Sequence, residues 1–116
     1  MKIKLRKTDI LYSQIIRSER PICELCKKRA SSQVHHYFSR KFENTRFDDN
    51  NIVAVCFTCH RIFHGDPEKG RNFMIERLGS EEKYYELYRK KETYKKKDDT
   101  LILIWLKERA KLCQEQ

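Results

Sequence analysis

The stretch CFTCHRIFH, residues 56–64, decides how this chain folds, because it opens on a Cys-x-x-Cys pair and closes on a His-x-x-x-His. An earlier pair, Cys23 and Cys26, is separated from it by residues 27–55. That length lets the chain fold back and surround one tetrahedral zinc ion with four thiolates. A four-cysteine site has no open position for substrate, so its role is structural, tying the entry of an upstream strand to the start of a later helix. CFTCH also fits the C-x-x-C-H pattern of haem attachment, but that reading leaves the first pair unexplained and needs an export signal that the sequence does not display.

Outward from this stretch, a strand, loop, strand and helix sit amid several further helices. GlnValHisHisTyr at 33–37 and NIVAVC at 51–56 read as two strands joined by the polar loop SRKFENTRFDDN, and helical periodicity runs from about Thr58 to His64. Upstream, residues 8–20 read as a helix capped by Thr8 and ending near Pro21. Downstream, Asp66-Pro67 starts a helix through Leu78 that Gly79 ends, Ser80 caps a second, and Asp99 or Thr100 caps a last one through LILIWLKERAKLC. The expected architecture is α+β: a two-stranded antiparallel hairpin and helix with a four-cysteine zinc site, flanked by N- and C-terminal helices. One domain is expected over 1–116, with a core at about 21–66 and a helical extension at about 67–116.

Composition narrows the partner. The 116 residues carry 26 Lys+Arg against 17 Asp+Glu, a formal net charge of +9, which favours a polyanion such as nucleic acid. The basic residues within 2–7 and 89–97 are either solvated faces or contacts to a phosphate backbone. No apolar segment is long enough to cross a bilayer, and MKIKLRKTDILYSQ lacks the features of a secretory leader, so a cytoplasmic, reducing location is expected, with no membrane partner. Five cysteines in such a compartment read as metal ligands with one left over, Cys113. Leu101, Ile104, Trp105 and Leu112 read as a core stripe or a homodimer seam.

The four histidines carry the chemistry. His60 and His64 share one helix face, and a third histidine, His35, on a strand that the zinc cross-link draws near, would leave a cation with open coordination positions, as a catalytic site requires. His36 is then spare, and a neutral imidazole that binds no metal is suited to take a proton from water.

This set, His35-His36, Asn51, His60 and His64 with flanking Cys-x-x-Cys pairs, resembles the HNH endonucleases, also called ββα-metal or His-Me finger enzymes, in the small phage-type form with a four-cysteine knuckle; its motif spacing is similar to that of the nuclease colicins. The resemblance covers about residues 23–64. It implies that His35, His60 and His64 bind a catalytic divalent ion, that His36 is the general base, and that Asn51, or its neighbour Asn50, holds the loop that orients it. Much of the family has aspartate where this chain has His35. An all-histidine set suits zinc, nickel or manganese better than magnesium. The implied activity is hydrolysis of DNA phosphodiester bonds, with Arg40, Arg46 and Arg61 as candidate phosphate contacts, and with a packaging or recombination protein as a candidate partner. Adjacent histidines would serve one site at a strand end, where the pleat need not separate them. The competing reading is a non-catalytic zinc module that docks on nucleic acid.

Overall fold

The computed structural model describes residues 3–114; Lys2 of the basic N-terminal run lies outside them. Its centre is an antiparallel hairpin of β1 (Gln33–His36) and β2 (Ile52–Val55), with Val34 opposite Ala54, His35 opposite Val53 and His36 opposite Ile52. All four residues of β2 are buried, because both faces of the hairpin are covered. Alternation then assigns each residue a side. Val53 and Val55 join Cys23, Cys56, Cys59, Phe63, Met74, Tyr84 and Leu87 in one apolar cluster. Ile52 and Ala54 join Tyr12, Ile15, Ile16 and Leu106 in the other.

The helices follow from this division. α1 (Lys7–Glu19) and α6 (Asp99–Gln114) pack against each other on the second face, while α3 (Phe57–Gly65), α4 (Pro67–Leu78) and α5 (Glu81–Glu92) succeed one another around the first. Between the strands lie a single turn of helix, α2 (Glu43–Arg46), packed on α5, and a 3-10 turn at Asp49–Asn51. The loop expected there therefore has helical structure of its own. α4 and α5 start as expected, with Asp66 accepting from the Lys69 N–H and Ser80 from the Lys83 N–H. Gly79 ends α4 at φ 107°, a left-handed conformation in which a side chain is strained.

Three expectations need correction. α1 is capped by Asp9 reaching back to the Arg6 N–H at 2.7 Å, whereas Thr8 lies buried inside the helix. Asp98, one residue earlier than expected, accepts from the Leu101 N–H and caps α6. The face of α6 that packs inward carries Ile102, Leu106, Ala110 and Cys113, so Leu101, Ile104, Trp105 and Leu112 are exposed and form no core stripe. A helix with apolar residues on nearly every side offers periodicity no unique inward face; the neighbouring α1 selects it.

Candidate metal centres and nuclease site

The Cys23–Cys26 knuckle is shaped by its backbone. The Cys23 N–H bonds the Arg29 carbonyl at 2.8 Å, the Lys27 N–H returns to the Cys23 carbonyl at 2.9 Å, and Lys27 takes a left-handed φ of 60°. The N–H groups of Arg29 and Lys28 therefore point at the Cys26 sulfur and pull its thiol down to about 6. Cys56 precedes the first residue of α3, where the Cys59 N–H lowers its thiol as well, and the Arg29 guanidinium approaches its sulfur at 4.0 Å. All four sulfurs lie within 4.8 Å of one another and none is in a disulfide. Four sulfurs around one zinc ion stand about 3.8 Å apart. The donor set fits that ion, and the thiolate-stabilising N–H groups are those a metal site needs.

A second cluster lies beside the first along α3. One ring nitrogen from each of His35, His60 and His64 falls within the same 4.8 Å limit, and Nε2 of His60 is 3.2 Å from Nε2 of His64. Two imidazole nitrogens on one tetrahedral zinc ion stand about 3.3 Å apart, so this set also fits a divalent cation. His35 is held by stacking on Phe63, with ring centroids 4.7 Å apart. His60 donates Nδ1–H to Oε1 of Gln33, which leaves its Nε2 lone pair facing the cluster. Gln33 was not among the expected residues, although it lies two positions before His35 and hence on the same strand face. Burial, followed by the charges of His60 and His64, pushes His35 down to about 3, and burial lowers His60 also, so both present the neutral imidazole that binds metal.

His36 stands apart from this cluster. Paired with Ile52, it projects to the α1 face, while His35, paired with Val53, projects to the α3 face. The pleat thus does separate the two, contrary to the expectation for a strand end. They meet again because a cleft of about 280 Å³ wraps the free edge of β1, lined by Ile3, Leu5, Val34, Ser39 and Arg40 together with His35, His36, His60 and His64. Nε2 of His36 lies 3.1 Å from the Arg46 carbonyl oxygen. A carbonyl only accepts, so Nε2 carries the proton and Nδ1 keeps the lone pair. That Nδ1 has no hydrogen-bond partner among the described residues. Burial, then the Arg40 charge, lowers His36 to about 4, and it is neutral at pH 7.

Asn51 is fully buried and closes the loop between the strands. Its Nδ2 donates to the carbonyls of Phe38 and Thr45, its Oδ1 accepts from the Phe38 N–H, and its own carbonyl accepts from the Tyr37 N–H. Asn50 is exposed and bonds only locally, to Asp48, so it takes no part in this lock. The three arginines separate. Arg40 lines the cleft; Arg61 lies on the exposed outer side of α3 over the Phe57 ring; Arg46 is buried, with Nε and Nη2 on Asp9 at 3.0 and 2.5 Å and further bonds to the Arg40 and Lys4 carbonyls. Four of its five N–H donors are spent within the fold and its side chain is only 7% exposed, which takes it out of the cleft's phosphate-facing surface. Others of the basic runs are also engaged within the fold: Arg6 pairs with Glu43 and Asp99, Lys90 with Asp48, and Lys91 sits over the rings of Phe38, Phe42 and Tyr88.

An antiparallel hairpin followed by a helix, with a tetra-thiol cluster at its base and a histidine cluster at its edge, defines a ββα-metal module. The family model described as HNH endonuclease matches residues 23–66, which span both cysteine pairs, all four histidines and Asn51. Over that segment the chain is similar to the HNH endonucleases, a nuclease-type domain, and it holds two side-chain clusters that could bind metal ions. Helices α1, α4, α5 and α6 lie outside the matched residues. Comparison with curated proteins and with solved structures gave no match. No described helix is long and apolar enough to cross a membrane.

Proposed function

We propose that the chain is a metal-dependent endonuclease that hydrolyses DNA phosphodiester bonds, with His36 as general base. One observation carries this reading: His36 has its Nε2 proton on the Arg46 carbonyl and an unpartnered Nδ1 lone pair, in the same cleft as the His35, His60 and His64 cluster. A buried acceptor left without a partner costs roughly 1–3 kcal/mol, a cost relieved by a water held at Nδ1. Nδ1 takes that water's proton as its oxygen attacks phosphorus, and the Arg46 carbonyl stabilises the charge that then develops on the ring. The bond from phosphorus to the 3′-oxygen breaks, and the departing oxygen takes a proton from solvent, giving 5′-phosphate and 3′-hydroxyl ends. His35, His60 and His64 would hold a divalent ion, which would supply Lewis acidity at the phosphate. Arg40 adds positive charge from the cleft wall, and Asn51 keeps the loop beside His36 closed. Contacts are expected chiefly to the DNA backbone, with affinity falling steeply as salt rises.

The test is cleavage of supercoiled plasmid by full-length protein across magnesium, manganese, nickel and zinc, beside His36→Ala at matched zinc content. Metal-dependent nicking that the variant loses, with folding and DNA binding kept, supports the reading. Equal DNA binding by both, with no cutting under any metal, sinks it in favour of a zinc module that only docks on nucleic acid.

A further inference from the structure

The N-terminal helix lies outside the residues that match the family, yet one of its side chains reaches the catalytic loop. Asp9 has no exposed side-chain surface, and its two carboxylate oxygens receive Nε and Nη2 of Arg46 in a bidentate pair at 3.0 and 2.5 Å. The rest of that guanidinium donates to the carbonyls of Arg40 and Lys4, both at 3.0 Å. The Arg46 backbone carbonyl in turn receives Nε2 of His36. The same Asp9 carboxylate lies 3.8 Å from Nε of Arg40 on the cleft wall. A single buried carboxylate thus stands behind the carbonyl that holds Nε2 of His36 and beside an arginine that lines the same cleft.

We propose that Asp9 is a positioning residue for the reaction: through Arg46 it fixes the carbonyl that sets the tautomer and orientation of His36, and it holds Arg40 at the cleft. The physical reason is that α2, which carries Arg46, is a single turn of helix and cannot hold its own carbonyl direction. A bidentate arginine–carboxylate pair fixes two planes relative to each other, which one hydrogen bond does not. Removing the charge from Asp9 leaves Arg46 buried with its fork half filled, and α2 is free to turn. His36 then loses its acceptor, and its proton divides between the two nitrogens.

The proposal rests on the assignment of His36 as base, so its test reads the ring as well as turnover. Ring-nitrogen NMR of zinc-loaded full-length protein should show His36 as the Nε2–H tautomer, and Asp9→Asn should convert it to a mixture. On supercoiled plasmid, kcat should fall about ten- to a hundredfold, a loss typical of a misplaced catalytic group, with KM nearly unchanged. Tyr12→Phe is the control: it removes a bond from the same helix to Asp49, touches neither Arg46 nor His36, and should leave both readouts at wild-type values. If Asp9→Asn does not fold, Arg46→Lys, which keeps the charge but not the fork, should give the same ring signature. A folded Asp9→Asn or Arg46→Lys with wild-type His36 signals overturns the proposal, as does a Tyr12→Phe that moves both readouts as far as Asp9→Asn. Wild-type protein that shows the tautomer but does not cut defeats the nuclease reading and leaves Asp9 as the residue that positions His36.

Discussion

The two faces of the β1–β2 hairpin are held by different physics. On the face of Val53 and Val55, four cysteines from two distant segments meet within 4.8 Å, and the apolar cluster grows around them. On the face of Ile52 and Ala54, apolar packing of α1 and α6 is rimmed by charge: Arg109 bonds both Glu19 and Asp49, and Asp49 also accepts from the Tyr12 hydroxyl at 2.6 Å. The first face suits a chain too small to rely on its core alone, since a bound ion contributes folding energy directly. The second has no such cross-link. It supplies what the first cannot, the Asp9–Arg46 pair that reaches the loop behind His36.

The comparison is most severely tested by stripping metal. Chelation, or Cys56→Ser, should unfold the first face and with it the hairpin, because structural zinc typically contributes on the order of 10 kcal/mol. Far-ultraviolet circular dichroism before and after zinc is restored would read this directly; a chain that stays folded without metal would contradict it. His36→Ala should leave the melting temperature near wild type and lower kcat by about 100- to 10,000-fold, the usual range for a general base. Leu106→Ala, in contrast, should cost about 2–5 kcal/mol of stability through the cavity it leaves, measured by denaturant unfolding of the zinc-loaded protein.

A smaller effect concerns acid. Burial alone would raise the Asp9 carboxyl, but the Arg46 hydrogen bond, the Arg6 N–H and the charges of Arg46 and Arg40 bring it below its ordinary value. The folded state therefore holds this proton less tightly than the unfolded chain does. Asp9 contributes its stability above the carboxylate's unfolded pKa and loses it as pH falls through the lower folded value. In urea unfolding across that window, Asp9→Asn should be less stable than wild type at neutral pH and show a flatter acid limb. A parallel pair of curves would contradict this. Smallest of all, Leu101→Ser on the outward face of α6 should change stability by no more than about 0.5 kcal/mol, since Leu101 is 64% exposed.

Much of this was legible in residue order. The cysteine spacing, the apolar run at 52–55 and the Asp66-Pro67 and Ser80 caps are local features whose meaning does not depend on distant residues, and the structure has them as expected. Gln33 could have been read from its two-residue spacing to His35. The roles within α6 and the basic runs were not legible, because an apolar helix with several eligible faces, or a lysine near an aromatic ring, acquires its partner only on packing. Arg46 is the sharpest case: by sequence it stood level with Arg40 and Arg61, and burial against Asp9 removes it from the surface.

The sequence by itself marked out a ββα-metal module with two sets of candidate metal ligands, because the Cys-x-x-Cys pairs and the His-x-x-x-His declare themselves by type and short spacing. Only the tertiary structure decided which adjacent histidine joins the cluster, since that depends on which face of β1 each side chain takes against Ile52 and Val53. It also decided that a helix outside the matched residues stands behind His36. Hydrogen-bond direction and buried charge pairing arise between segments far apart in the chain, where no local pattern records them.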